Sequence, residues 1–147
     1  MTTKTDTQSI TMEFDLPHPP AKVWRALTEP ELLAKWLMPT DMQPTVGKTF
    51  TFKVQLPAGS AGWDGMVHCV MKEIEQHKRL RYSWRGGGID TVVTWSLAAT
   101  HKGGTLLRLE QSGFRPDKGE ARFFEGAKMG WQHMAGQRLP EVLTQVR

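Results

Sequence analysis

The hydrophobic period of this chain changes along its length, and the order of those changes limits the possible folds more than any other feature. Between residues 47 and 112 apolar side chains recur at every second position, in runs broken by short turns. Beyond Pro116 they recur at every third or fourth position without interruption. A chain patterned in this way must bury one face of a sheet, and a single long helix is the only element extended enough to cover it.

The strands can be read one at a time. After a polar tail of residues 1–8, Ile10, Met12, Phe14 and Leu16 alternate with Thr11, Glu13 and Asp15. Phe50, Phe52 and Val54 mark a second strand, and residues 63–74 a third, longer one with an irregularity inside it. Leu80, Tyr82 and Trp84 face one way on the fourth, Val93, Trp95 and Leu97 on the fifth (91–99), and Leu107, Leu109 and Gln111 on the sixth (105–112). Turns at 57–62, 75–78, 86–88 and 101–104 are short, which makes sequential neighbours antiparallel.

Two short helices fit between the first and second strands. Pro19 and Pro20 open the first, whose stripe is Val23, Trp24, Ala26 and Leu27. Thr28 with Glu31 matches a capping box, Leu32, Leu33, Trp36 and Leu37 follow at helical spacing, and Pro39 stops the run. The last helix covers about residues 120–146, with Phe124, Ala127, Trp131, Ala135, Leu139 and Val142 on one face. Pro140 cannot donate to the Gly136 carbonyl, which predicts a kink near Gly136.

The predicted architecture is α+β: a six-stranded, curved antiparallel sheet around a long C-terminal helix, with two short helices after the first strand closing one end. Residues 9–147 form a single domain, a size suited to the 147-residue chain. A strongly curved sheet around one helix leaves volume that neither fills, so an apolar cavity is expected. Gln111 is the polar exception on the inward face, and a buried amide needs partners.

Composition removes several functions. The net charge is 19 − 15 = +4. The densest basic stretch, Lys78, Arg79, Arg81 and Arg85, alternates with Leu80, Tyr82 and Trp84 and reads as the outer face of a strand. No nucleic-acid binding is expected from it. No run approaches the roughly 18 apolar residues of a membrane span. The N-terminus has no apolar core of a signal peptide, and one cysteine, Cys69, permits no internal disulfide. A cytoplasmic location follows as an expectation.

Catalytic signatures are sparse. His18, His68, His77, His101 and His133 lack metal-ligand spacing, so no metal and no cofactor is assigned. No Gly-x-Ser-x-Gly elbow occurs, and Cys69 reads as a small core residue. His68, Asp64, Asp90 and Glu110 border the cavity strands, and parity leaves His68 free to face either way; a solvated outer face is the ordinary fate of such groups. Gly86-Gly87-Gly88 lacks the lysine and helix of a phosphate loop and reads as a rim. No catalytic residue is assigned. The aromatic residues are the stronger signal, because six tryptophans are many for this length. The candidate ligand-binding set is Trp36, Phe52, Trp63, Trp84 and Trp95, with Gln111, Phe114, Phe124 and Trp131.

Residues 20–37, PAKVWRALTEPELLAKWL, resemble the opening signature of the START-like (SRPBCC) superfamily, in the branch of homologues of the activator of heat-shock-protein-90 ATPase. Residues 73–84, 104–114 and the helix from Gly130-Trp131 agree with it, so the resemblance spans about residues 9–146. It implies a helix-grip fold with a deep cavity. Members of the superfamily include lipid carriers, hormone receptors, polyketide cyclases and a co-chaperone domain, so fold alone does not fix function. The branch often carries a histidine on the sixth strand where this chain has Gln111. The leading expectation is non-catalytic binding or sensing of a hydrophobic small molecule. The alternatives are a cyclase-like enzyme using His68 or an inward carboxylate, and a protein-binding module, tied to stress response, whose Arg79 and Arg81 meet an acidic partner. Monomer and homodimer both remain open.

Overall fold

Alternating strands joined by short turns produce a meander. A computed structural model of the chain describes residues 8–54, 65–86, 88–115 and 119–146. Six strands form one antiparallel sheet: β1 (Gln8–Leu16), β2 (Thr49–Lys53), β3 (Met66–Glu75), β4 (Arg79–Gly86), β5 (Ile89–Ala99) and β6 (Thr105–Phe114). Their order across the sheet is β1-β6-β5-β4-β3-β2. The first two strands are therefore opposite edges. The connection between them carries α1 (Pro20–Thr28) and α2 (Pro30–Trp36) from one edge to the other. This is the helix-grip arrangement that the sequence predicts.

The inward faces follow the predicted parity. Ile10 and Leu16, Phe50 and Phe52, and Leu107 and Leu109 are buried, while Met12, Phe14 and Val54 are half-buried. The irregularity in the third strand is a register shift between Met71 and Glu73 opposite β4. Near it the Val70 amide donates to Ser83 Oγ at 2.8 Å, which satisfies a group that the ladder would otherwise bond. This strand begins at Met66, three residues later than the predicted 63. Trp63, Asp64, the turn at 57–62 and residues 116–118 lie outside the described residues.

The capping box does not form. Thr28 is still helical, and its hydroxyl donates to the Trp24 carbonyl at 2.9 Å. Glu29 is the extended N-cap of α2, without a side-chain cap, and Pro30 occupies the first turn. Proline's fixed φ and missing donor supply the break that a Thr–Glu box would have supplied. The angle between the helices is held by Trp36, whose indole N–H donates to the Ala26 carbonyl at 2.8 Å.

The last helix is α3 (Ala121–His133), a π-helical turn over Met134–Arg138, and α4 (Leu139–Gln145). At Gly136, where a kink is predicted, the helix has a π turn: the Leu139 amide reaches back five residues to the Met134 carbonyl. Pro140 then sits in the first turn of α4, a position at which proline's fixed φ is compatible with the helix.

Candidate functional site

The last helix meets the sheet differently along its length. In α4, Leu139, Val142 and Leu143 are buried, and the segment packs on α1 and α2. In α3 only Trp131 is buried. Gly126 and Gly130, four residues apart, stand on one helix face. A Cβ added at Gly126 would have nothing within 4 Å, and one at Gly130 would meet only the Met134 terminal methyl at 3.7 Å.

The gap this leaves is a cleft of about 350 Å³ between α3 and the ends of the strands. Val67, Trp84, Ile89 and Gln111 come from the sheet. Phe123, Ala127, Trp131 and Met134 come from the helix, with Met38 and Val54 at the side. Arg122 stands at its edge and is exposed. Among the described lining residues there is no carboxylate, histidine, thiol or hydroxyl.

Gln111 is the polar point of this wall and is 1% exposed. Its Oε1 accepts from the Trp131 indole N–H at 2.7 Å, and its Nε2 donates to Thr91 Oγ1 at 3.0 Å. The Thr91 hydroxyl in turn donates a hydrogen bond to the Trp84 carbonyl at 2.9 Å. The amide is thus oriented by three elements, and one donor and one acceptor site on it remain.

The predicted aromatic set divides between wall and core. Trp84 and Trp131 line the cleft, 5.4 Å apart between ring centroids. Trp36, Phe52, Trp95 and Phe114 are fully buried and do not line it. They support it as a connected series: Trp36 on Trp95 at 5.8 Å, Trp95 on Trp131 at 5.5 Å, and Phe52 on Trp84 at 5.3 Å. Phe124 packs edge-on against Phe114 at 5.3 Å, with the Lys128 ammonium 5.1 Å from its ring centroid. Trp63 lies outside the described residues. Sequence reasoning missed Met38, Val67, Ile89 and Met134 as wall residues. The signal for Val67 and Ile89 was strand parity, and for Met134 the helical spacing from Trp131.

Of the acid–base candidates, His68, Asp90 and Glu110 do not line the cleft. His68 is exposed on β3, flanked by buried Val67 and Cys69, so it faces away from the cleft. It borders an outer groove with Arg85 and Asp90, which approach each other to 3.6 Å. Glu110 is on the opposite face from Gln111. Burial pushes the Cys69 thiol well above its ordinary value, with the nearby Asp41 charge adding to it. Burial likewise raises the Tyr82 hydroxyl, which accepts from the Trp95 indole N–H at 3.0 Å. Neither is a nucleophile at neutral pH. Among the described residues no cluster of three or more metal-ligating side chains occurs, and no helix is long and apolar enough to cross a membrane.

The fold and the cleft can be set beside known proteins. The model of the "Activator of Hsp90 ATPase homolog 1-like protein" family matches residues 17–144. The chain belongs to this family. Protein MLL2253 from Mesorhizobium loti is similar to it at 39% identity, with a TM-score of 0.81 over 94% of this chain and 98% of that one. BH1534 from Bacillus halodurans matches at 26% identity and TM-score 0.74, over 92% and 96%. CalU16 from Micromonospora echinospora, at 23% identity and TM-score 0.73 over 94% and 77%, shares the fold. No curated protein matches the chain by sequence.

Proposed function

We propose that this family member is a non-catalytic carrier or sensor that holds a hydrophobic small molecule in the cleft between α3 and the sheet. One observation carries the reading. The wall is apolar and aromatic, it contains one oriented amide, and its described residues include no acid, base or nucleophile. Such a surface releases water on ligand entry and gives orientation through few polar contacts. The cyclase-like alternative needs a proton acceptor in the cleft, and His68 stands on the other face. The co-chaperone-like alternative draws on Arg79 and Arg81, each of which lies 3.6 Å from Glu73 and is partly neutralised by it. The buried lone cysteine suits the reducing cytoplasm that this reading assumes.

Titration with 1-aminoanthracene, an uncharged fluorescent three-ring probe, tests the proposal. Saturable one-to-one binding with a blue shift is expected in the wild type. Gly130→Leu, which drives a side chain into the cleft, should abolish it while the chain stays folded. Non-saturable binding, or binding indifferent to Gly130→Leu, would reject the site.

A further inference from the structure

Among the described residues that line the cleft, one is charged: Arg122. Arg122 lies in the first turn of α3 and borders the cleft. Among the described residues no acid pairs with it. The nearest acid in sequence, Glu120, is committed elsewhere. Its carboxylate accepts from the Arg115 amide at 2.8 Å and from the Arg115 guanidinium at 3.1 Å. Glu125 reaches Lys128 at 3.4 Å.

The position is electrostatically unusual. The first turn of a helix carries partial positive charge, where acids are favoured and cations disfavoured. The first turn of this 13-residue helix bears Arg122 and no acid, and the carboxylate of its N-cap, Glu120, caps no helix amide and is held by Arg115. An anion bound at the mouth would relieve that repulsion and complete the guanidinium's hydrogen bonds.

Size limits the rest of the ligand. A volume of about 350 Å³ is at the small end of the usual range for pockets, about 300–1,000 Å³. It suits a body of two or three fused rings and is short for a two-chain lipid. Trp84 and Trp131 form the aromatic part of the wall, and the bare backbone at Gly126 and Gly130 adds room in the same cleft.

We infer that the ligand is a small aryl carboxylate, its rings held against Trp84 and Trp131 and its carboxylate at Arg122. This rests on the binding function proposed above and adds the ligand's charge and the residue that reads it.

Matched probes separate the two claims: 2-naphthoate and its uncharged counterpart 2-naphthalenemethanol, titrated calorimetrically into wild type and Arg122→Gln. The wild type should bind the carboxylate about fivefold more tightly, the effect of a partly exposed ion pair. Arg122→Gln should remove that preference and leave the affinity for the alcohol unchanged. Raising the salt concentration should weaken only the carboxylate. Equal affinities in the wild type, or a preference that survives Arg122→Gln, would overturn the charge assignment while the binding function stands. Binding of neither probe would overturn both. Arg122 is exposed, so the variant should keep the wild-type melting temperature, which circular dichroism checks.

Discussion

The two ends of the inner face of the sheet are set by the same strand alternation and end in opposite states. Where β4 begins, Leu80, Leu97 and Leu107 are buried, at the end where α1 packs on β5 and α4 packs on α1 and α2. Where β4 ends, Trp84 and Gln111 meet Trp131 of α3 and line an open cleft beside it. The difference is in the helix. Leu139 and Leu143 are fully buried at one end, and Gly126 and Gly130 present bare backbone at the other. Packing density is therefore a local choice, and the same sheet supplies a solid core and a binding wall.

Paired truncations give the hardest test of that contrast. Leu139→Ala, in the filled end, should cost about 2–5 kcal/mol in urea denaturation, because a fully buried side chain leaves a cavity. Met134→Ala, on the cleft wall, should cost about 1 kcal/mol, since one side of it already faces open space. Equal losses would remove the distinction.

Gln111→Leu addresses the polar point of the open end. It leaves the Trp131 indole N–H without its acceptor and should cost about 1–3 kcal/mol. The Trp131 indole proton in an NMR spectrum should shift with it. An unchanged shift and stability would show that the amide does not orient the wall.

The glycines should respond with opposite signs. Gly130→Ala should stabilise by about 0.5–1 kcal/mol through helix propensity, since its Cβ finds only a flexible methyl. Gly104→Ala should destabilise, because its Cβ would lie 2.5 Å from the Leu16 carbonyl oxygen, a backbone atom. A destabilising Gly130→Ala would mean that the cleft is tighter than it looks.

The smallest expected effect is at the loop that brings Met38 to the cleft. Asp41 accepts from the Thr51 amide at 2.6 Å and from its hydroxyl at 3.1 Å. The backbone bond chiefly holds its carboxyl below the ordinary value. Its contribution is therefore present above the ordinary carboxylate pKa and lost as pH falls through the lowered one. Asp41→Asn should lower stability slightly at neutral pH, and the gap from wild type should close on acidification. A gap that persists in acid would assign the effect to packing.

The sequence carried the fold well because side-chain period is a local property. Phe50 and Phe52, or Leu107 and Leu109, announce their shared face without reference to the rest of the chain. Local chemistry was less decisive at Thr28, where a helical hydroxyl bonded its own i−4 carbonyl instead of capping the next helix. The cleft was legible only in part. Trp84, Gln111 and Trp131 were named with Trp36 and Trp95, which share their faces and periods and lie in the core instead.

What the sequence determined by itself was the order of elements and the face each apolar residue takes, since strand alternation and helix spacing are fixed by backbone geometry. What only the tertiary structure decided was which aromatic rings became wall and which became core. That depends on the distance between helix and sheet at each point, and the distance is set by residues far apart in the chain: Gln111 meets Thr91 and Trp131, each twenty positions away.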